Sequence, residues 1–355
     1  LTYKTVTDGK GASIKGFDIT KKSGLVTILN NREITTTSTK TEEWNVTVTF
    51  VNYNSNQAGN AGKNFSAKLM IQKEKIPTVL SDVCTSGNNL ATCITTLSNK
   101  SEPSIVNIYH HTSSLANGAG DNSYRYAGAN PNNFVCFGSD VSPCPTDNLY
   151  RIIGVFEDKV KLIKYDYATS ALLGTDGDYK DSVVPDPTYY KGSQSSINRY
   201  YWNYKNDTSI NNGFGSNEWS TSLLNKINLN TNYLNNIGTT WSNLIEDATW
   251  KVSGHSTRSV TPSEMYTAEI TNATKTYGPS NGTSKIGLMY LSDYGFAASP
   301  SAWTTTLFNY DDNDANGTSI TTINWMYMGN YDWTISPYSS SSNYLFPLNS
   351  RGNVI

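Results

Sequence analysis

Apolar positions along this chain fall mostly into short runs of period two, separated by long neutral-polar stretches. The strongest run is Leu149 to Tyr165, LYRIIGVFEDKVKLIKY, whose two β-branched and aromatic arms flank a polar Glu157-Asp158 break. That arrangement predicts a β-hairpin. Simple alternation puts Tyr150, Ile152 and Phe156 on one face of the first arm, with Ile153 and Val155 on the other. An arm apolar on both faces belongs in the middle of a sheet.

Upstream, Leu25 to Leu29 is a short apolar run, and Trp44, Val46, Val48 and Phe50 alternate with polar residues. Phe65, Ala67, Leu69 and Ile71 do the same, after a polar Gly/Asn loop. One-sided alternation of this kind predicts a small β-sandwich. Periodicity then lapses between Pro77 and Asn122, apart from a short helix carrying Leu90, Ile94 and Leu97. The expected division is residues 1–100 for the sandwich and linker, and 101–355 for a second domain.

Helical spacing appears later. Leu223, Leu224 and Ile227 share one helical face, as do Tyr233, Leu234, Ile237, Trp241, Leu244 and Ile245, and both faces read as core. Thr261-Pro262-Ser263-Glu264 is a capping box with proline at the first helical position, ahead of Met265, Tyr266 and Ile270. Lys285 to Leu291 and Tyr344 to Leu348 read as strands, and Trp303 to Tyr310 as a further apolar segment. The fold class expected is mainly β to α+β with a few short helices.

Composition sharpens this picture. A net charge of −2 gives no basis for a nonspecific grip on nucleic acid or anionic membrane. Only 16% of the 355 residues are charged, and 24 Tyr and 8 Trp are available for cores. Four cysteines form two local pairs, Cys84/Cys93 and Cys136/Cys144. Read as disulfides, each clasps a loop of about ten residues, contributes about 2–3 kcal/mol and implies an oxidising, extracytoplasmic setting. Zinc coordination and free thiols are the competing readings; zinc favours closer cysteine spacing, and no His lies near either pair. No signal-peptide pattern or transmembrane run is legible, so any export signal is expected to have been removed already.

Several blocks carry a resemblance. Trp333 to Pro337, the Ser-rich turn, the Tyr344–Leu348 strand and the turn at Gly352 resemble the closing part of a C-type-lectin-like domain related to formylglycine-generating enzymes. SYRYAGANPNNFVCFGSD, CPTDNLYRIIGVF, KIGLMYLSDYGFAASPSAW and NWMYMGNYDWTIS are similar to stretches of exported surface proteins of gut Firmicutes. WNVTVTFVNYNSNQAGNAGKNFSAKL resembles small β-sandwich modules of exported Gram-positive proteins, some of which polymerise. The resemblance implies a C-type-lectin-like second domain. The enzymatic relatives work through later cysteines, and none follows Cys144 here, so that activity is not expected.

Candidate chemistry is sparse. Asp312, Asp314 and Asn316 open a D-x-D-x-N-G calcium loop, but Ile323 stands where a bidentate Glu closes an EF-hand. A solvated Asp/Asn turn is the plainer reading. Asp176, Asp178 and Asp181 make a second acidic turn. Tyr200, Tyr201 and Trp202 could stack on a glycan, or pin a loop to the core. His110, His111 and His255 have no evident catalytic partners, and Glu218, Glu246, Glu264 and Glu269 read as helix starts and surfaces. The expected protein is a non-enzymatic extracellular component of a bacterial surface, structural or adhesive. Its partners would be further copies, through strand addition, or a host or glycan ligand. The alternative is a lectin-like module binding a glycan or protein, with calcium assisting.

Overall fold

A computed structural model describes residues 76–174, 202, 217–222, 224–273, 280–311, 319–341 and 344–355, with strands at 2–7, 13–15 and 46–49 and positions 56 and 58. The chain divides into two compact units, Leu1–Thr78 and Val79–Ile355. The division precedes the first disulfide, so Cys84 and the helix Leu90–Lys100, which carries Cys93, belong to the second unit.

In the first unit β1 (Thr2–Thr7) lies between β2 (Ser13–Lys15) and β3 (Val46–Thr49), antiparallel to both. The alternating run at 46–49 thus pairs, with Val48 opposite Tyr3 and Val46 opposite Val6. The expected strands at 25–29 and 65–71 lie outside the described residues.

The second unit is α+β. It runs α1 (Leu90–Lys100), α2 (Pro103–Val106), β4 (Ile108–His110), β5 (Tyr124–Tyr126), β6 (Phe134–Cys136), β7 (Leu149–Phe156), β8 (Lys159–Lys164) and α3 (Ser170–Leu173). Then come α4 (Leu234–Asn236), α5 (Thr239–Ser242), β9 (Ala248–Lys251), α6 (Pro262–Tyr266), β10 (Asn281–Ser284) and α7 (Leu291–Ala297). The predicted hairpin is β7–β8, turned through Glu157 in the left-handed region at φ 57°. β8 pairs along nearly all of β7, so β5 and β6 share its other edge end to end, and β4 adds outside β5. The first arm is therefore central, as its two apolar faces require.

Its faces differ from simple alternation. Ile152 pairs with Leu162 but Gly154 pairs with Lys161, so a bulge at this point inserts one extra residue. Beyond it Val155 joins Ile152 on the face under α1, with Ile94, Leu97, Ile108 and Tyr126. Phe156 joins Ile153 against the larger core of Met265, Leu291, Tyr294, Trp325 and Phe346. Tyr150 enters a third cluster with Trp202, Trp219, Leu229 and Tyr233. Gly154 is required because a Cβ there would stand 2.3 Å from the Tyr124 carbonyl oxygen on β5.

The helix at 90–100 forms as expected, its first turn capped by the Asn89 side chain accepting from Thr92 N at 2.8 Å. The Thr261–Glu264 capping box and Pro262 start α6. Between 220 and 245 the regular helices give way to a π-helical stretch, Leu224–Tyr233, followed by short α4 and α5 parted at Gly238. Asn230 Nδ2 and Thr231 Oγ1 donate to the carbonyls five residues back, at Asn225 and Lys226, holding the wider turn. A helix of normal pitch therefore misplaces the buried face, and Leu244, expected in the core, is 65% exposed. The strand expected at 285–291 lies earlier, at β10, and residues 344–348 make isolated bridges only.

Two glycines separate steric need from mere permission. Gly154→Ala is expected to lower the urea-unfolding free energy by more than about 2 kcal/mol, since a backbone carbonyl must move. Gly282→Ala in β10, where the added carbon meets only the Trp219 ring at 3.5 Å, should be neutral or gain a few tenths of a kcal/mol, roughly.

Candidate functional site

The bulge builds a buried cluster of charges in the second unit. Arg125 on β5, Gly154 on β7 and Lys161 on β8 stand opposite one another across three strands. Two cations therefore flank a position without a side chain. Asp293 of α7 fills the gap, its Oδ1 3.4 Å from Arg125 Nη1 and its Oδ2 2.5 Å from Lys161 Nζ. Oδ2 also accepts from Tyr290 N at 3.0 Å, which caps the helix. Arg125 is satisfied further by Asp121 Oδ2 at 2.7 Å and Ser123 Oγ at 2.8 Å. Its guanidinium lies 4.6 Å from the Phe156 ring centroid and 5.0 Å from that of Phe296, and the Lys161 ammonium lies 4.4 Å from that of Tyr290.

Glu269 adds a second carboxylate to the same helix start. It follows α6, is wholly buried, and accepts from Leu291 N at 3.0 Å, Ser292 N at 3.2 Å and the Ser336 hydroxyl. Burial raises its carboxyl to about 7, against the pull of these donors. Burial acts upward on Asp121 as well, but the Arg125 guanidinium and the bonds from Ser123 hold it at about 2. Nearby, burial pushes the imidazole of His111 down to about 3, with Arg125 acting in the same direction. Its Nδ1 accepts from Ala119 N at 3.0 Å, and its ring packs on Phe296 and Trp303. Through Asp293 and Glu269 the sheet, α7 and the Ser336 segment are tied at one place.

A second arrangement faces solvent. Phe134, Tyr165, Tyr167, Tyr331 and Trp333 are between 41% and 69% exposed. The Phe134 and Tyr165 ring centroids are 5.7 Å apart. Tyr167 follows Tyr165 by two residues, and its backbone N donates to Asp166 Oδ1 at 2.7 Å. Burial raises both Tyr167 and Asp332, so each keeps its proton to higher pH than usual. Behind Phe134 lies Arg151, which bonds Asn133 Oδ1, Trp325 O and Pro131 O, and which burial lowers to about 10.

Of the residues singled out in the sequence, Cys84–Cys93 and Cys136–Cys144 are disulfides, with Cα atoms 5.0 and 5.7 Å apart. Asp312, Asp314, Asn316, Tyr200 and Tyr201, and the acidic turn at 176–181, lie outside the described residues. Trp202 is buried with its ring 5.1 Å from Trp219, an anchor rather than a ligand-facing group. Glu269, expected on the surface, is in the core. Among the described residues no cluster of three His, Cys, Asp or Glu could hold a metal ion. The α7 start was also missed, although Tyr290-Leu-Ser-Asp293 carries an acidic third residue that marks helix N-termini.

Two substitutions test the clamp. Asp293→Asn leaves Arg125 and Lys161 short of a buried counter-charge and should cost about 3 kcal/mol or more in urea unfolding. For Glu269 the folded carboxyl titrates above the unfolded one, so the native state holds an extra proton between roughly pH 4.5 and 7. Its contribution is full below that window and declines as pH rises through it. Glu269→Gln should flatten this part of the stability–pH curve, measured by urea midpoints across the window.

No family model, curated protein or solved structure matches this chain.

Proposed function

We propose that the chain is a non-enzymatic extracellular surface protein that works by contact, as a structural subunit or an adhesin. The observation supporting it best is the pairing of a braced body with exposed, positioned rings. Two disulfides and the Asp293 clamp brace the second unit, and Phe134, Tyr165, Tyr167, Tyr331 and Trp333 project from it. Disulfides suit an oxidising compartment. Among the described residues no helix is long and apolar enough to cross a membrane. The same reading takes the three-stranded sheet of the first unit as part of a small β-sandwich, and the second unit as C-type-lectin-like. A subunit built this way would associate by lending a strand to the next copy.

The alternative, a ligand-binding lectin-like module, draws on the same rings, since Tyr and Trp combine an apolar body with a polar tip.

Three measurements decide. Thiol titration of the unreduced, denatured protein should find no reactive cysteine; four would remove the extracytoplasmic argument. Negative-stain images and light scattering should show concentration-dependent assembly, blocked by a peptide of residues 1–15, or adherence of monomers to cells. Sustained turnover of glycosidase or esterase substrates would overturn both forms of the proposal.

A further inference from the structure

We propose that Lys161 and Asp293 condense after folding, joining Lys161 Nζ to Asp293 Cγ in an amide cross-link between β8 and α7. The two groups already meet, with Nζ 2.5 Å from Oδ2. The Asp293 side chain is 2% exposed and that of Lys161 18%. Ring centroids of Tyr290, Trp250 and Phe156 lie 4.4, 5.3 and 5.7 Å from Nζ, surrounding the ammonium with apolar surface. Reacting groups held in contact reach effective concentrations on the order of 10⁵ M or more.

Contact alone does not suffice. Lys159 Nζ meets Glu246 Oε2 at 2.7 Å, but both of those side chains are more than half exposed. In water such a pair stays solvated as ions, and solvent drives any amide back. At Asp293 the ions are costly to keep and bulk solvent is excluded, so the neutral amide gains on both counts. The remaining charges also balance. Arg125 and Lys161 face Asp293 and Asp121 before the reaction; afterwards Arg125 keeps Asp121, its Nη2 2.7 Å from Oδ2. One cation and one anion disappear together, and no buried charge is orphaned. Arg125 is no rival nucleophile, because a guanidinium does not give up its proton.

The atoms are accounted for. A proton passes from Nζ to Oδ2 along their contact, giving an amine and a carboxylic acid. Nζ then attacks Cγ, and the displaced electron pair rests on Oδ1, which Arg125 Nη1 faces at 3.4 Å as a cationic donor. A second proton moves from Nζ to Oδ2, the Cγ–Oδ2 bond breaks, and Oδ2 departs as water. Oδ1 becomes the amide carbonyl, and the nitrogen keeps its third hydrogen. No oxidant, reductant or activating group is consumed. Glu269 bonds the N–H groups of Leu291 and Ser292, between Tyr290 and Asp293. Burial raises its carboxyl to about 7, so a group able to take and return a proton stands at the same helix start.

The test is the intact mass of the full chain, denatured and with all its cysteines reduced. It should fall short of the sequence mass by one water, and digestion should release a branched peptide joining Lys161 to Asp293. Lys161→Arg keeps a cation that cannot condense and should show its full sequence mass, while Lys159→Ala should keep the deficit. A parent chain of full sequence mass, or a deficit mapped to any other residues, would overturn the cross-link. Both readings come from the parent and stand however the variants fold. That outcome leaves the ion-pair clamp and the contact function in place, since neither needs the covalent bond.

Discussion

Asp293 is the residue on which the second unit depends. Its carboxylate lies between Arg125 and Lys161, on a row of the sheet where Gly154 leaves the middle place empty. Each part of that arrangement requires the others. A side chain at Gly154 would meet the Tyr124 carbonyl, and without the glycine the three strands could not approach closely enough for one carboxylate to reach both cations. Desolvation offsets much of the attraction in a buried ion pair of this kind, whereas removing one partner leaves an uncompensated buried charge. Here the pair fixes which end of α7 meets the sheet. Tyr290 N and the Glu269 bonds to Leu291 N and Ser292 N complete the helix start from two further directions.

The apolar cores follow from the same irregularity. By inserting one residue, the bulge exchanges the faces of Val155 and Phe156, sending Val155 under α1 and Phe156 toward the core of Trp325 and Phe346. Phe156 then lies 4.6 Å from the Arg125 guanidinium, linking the apolar core to the charged clamp. The rigidity reaches the surface through Arg151, which stands three residues before Gly154 and holds Phe134 and Trp325 on either side. Exposed rings supported in this way suit binding better than rings on a loose loop.

Legibility in the sequence tracked how local each feature was. The Leu149–Lys164 hairpin, the short helix carrying Leu90, Ile94 and Leu97, the Thr261 capping box and both disulfides rest on near neighbours in the sequence, and local chemistry decides such features. The Leu224–Tyr233 segment was misread because Asn and Thr side chains bonding five residues back widen the turn, so the buried face leaves its usual period. Glu269 looked like any acidic residue in a helix, since the N–H groups that draw it inward lie more than twenty residues away. Phe134 and Tyr165 were legible only as members of strands, not as neighbours at a surface.

The sequence by itself determined the hairpin, its central place in a sheet, the cystine loops, the short helices that carry caps and the weak net charge. Those properties depend on composition, spacing and contacts between near neighbours. Only the tertiary structure decided that Asp293 meets Arg125 from 168 residues away, that Glu269 is buried, and that the Phe134 and Tyr165 rings meet. Period two cannot announce a bulge, and one extra residue reverses every side chain beyond it. Which distant group then fills the gap is a matter of shape and desolvation, settled when the layers close.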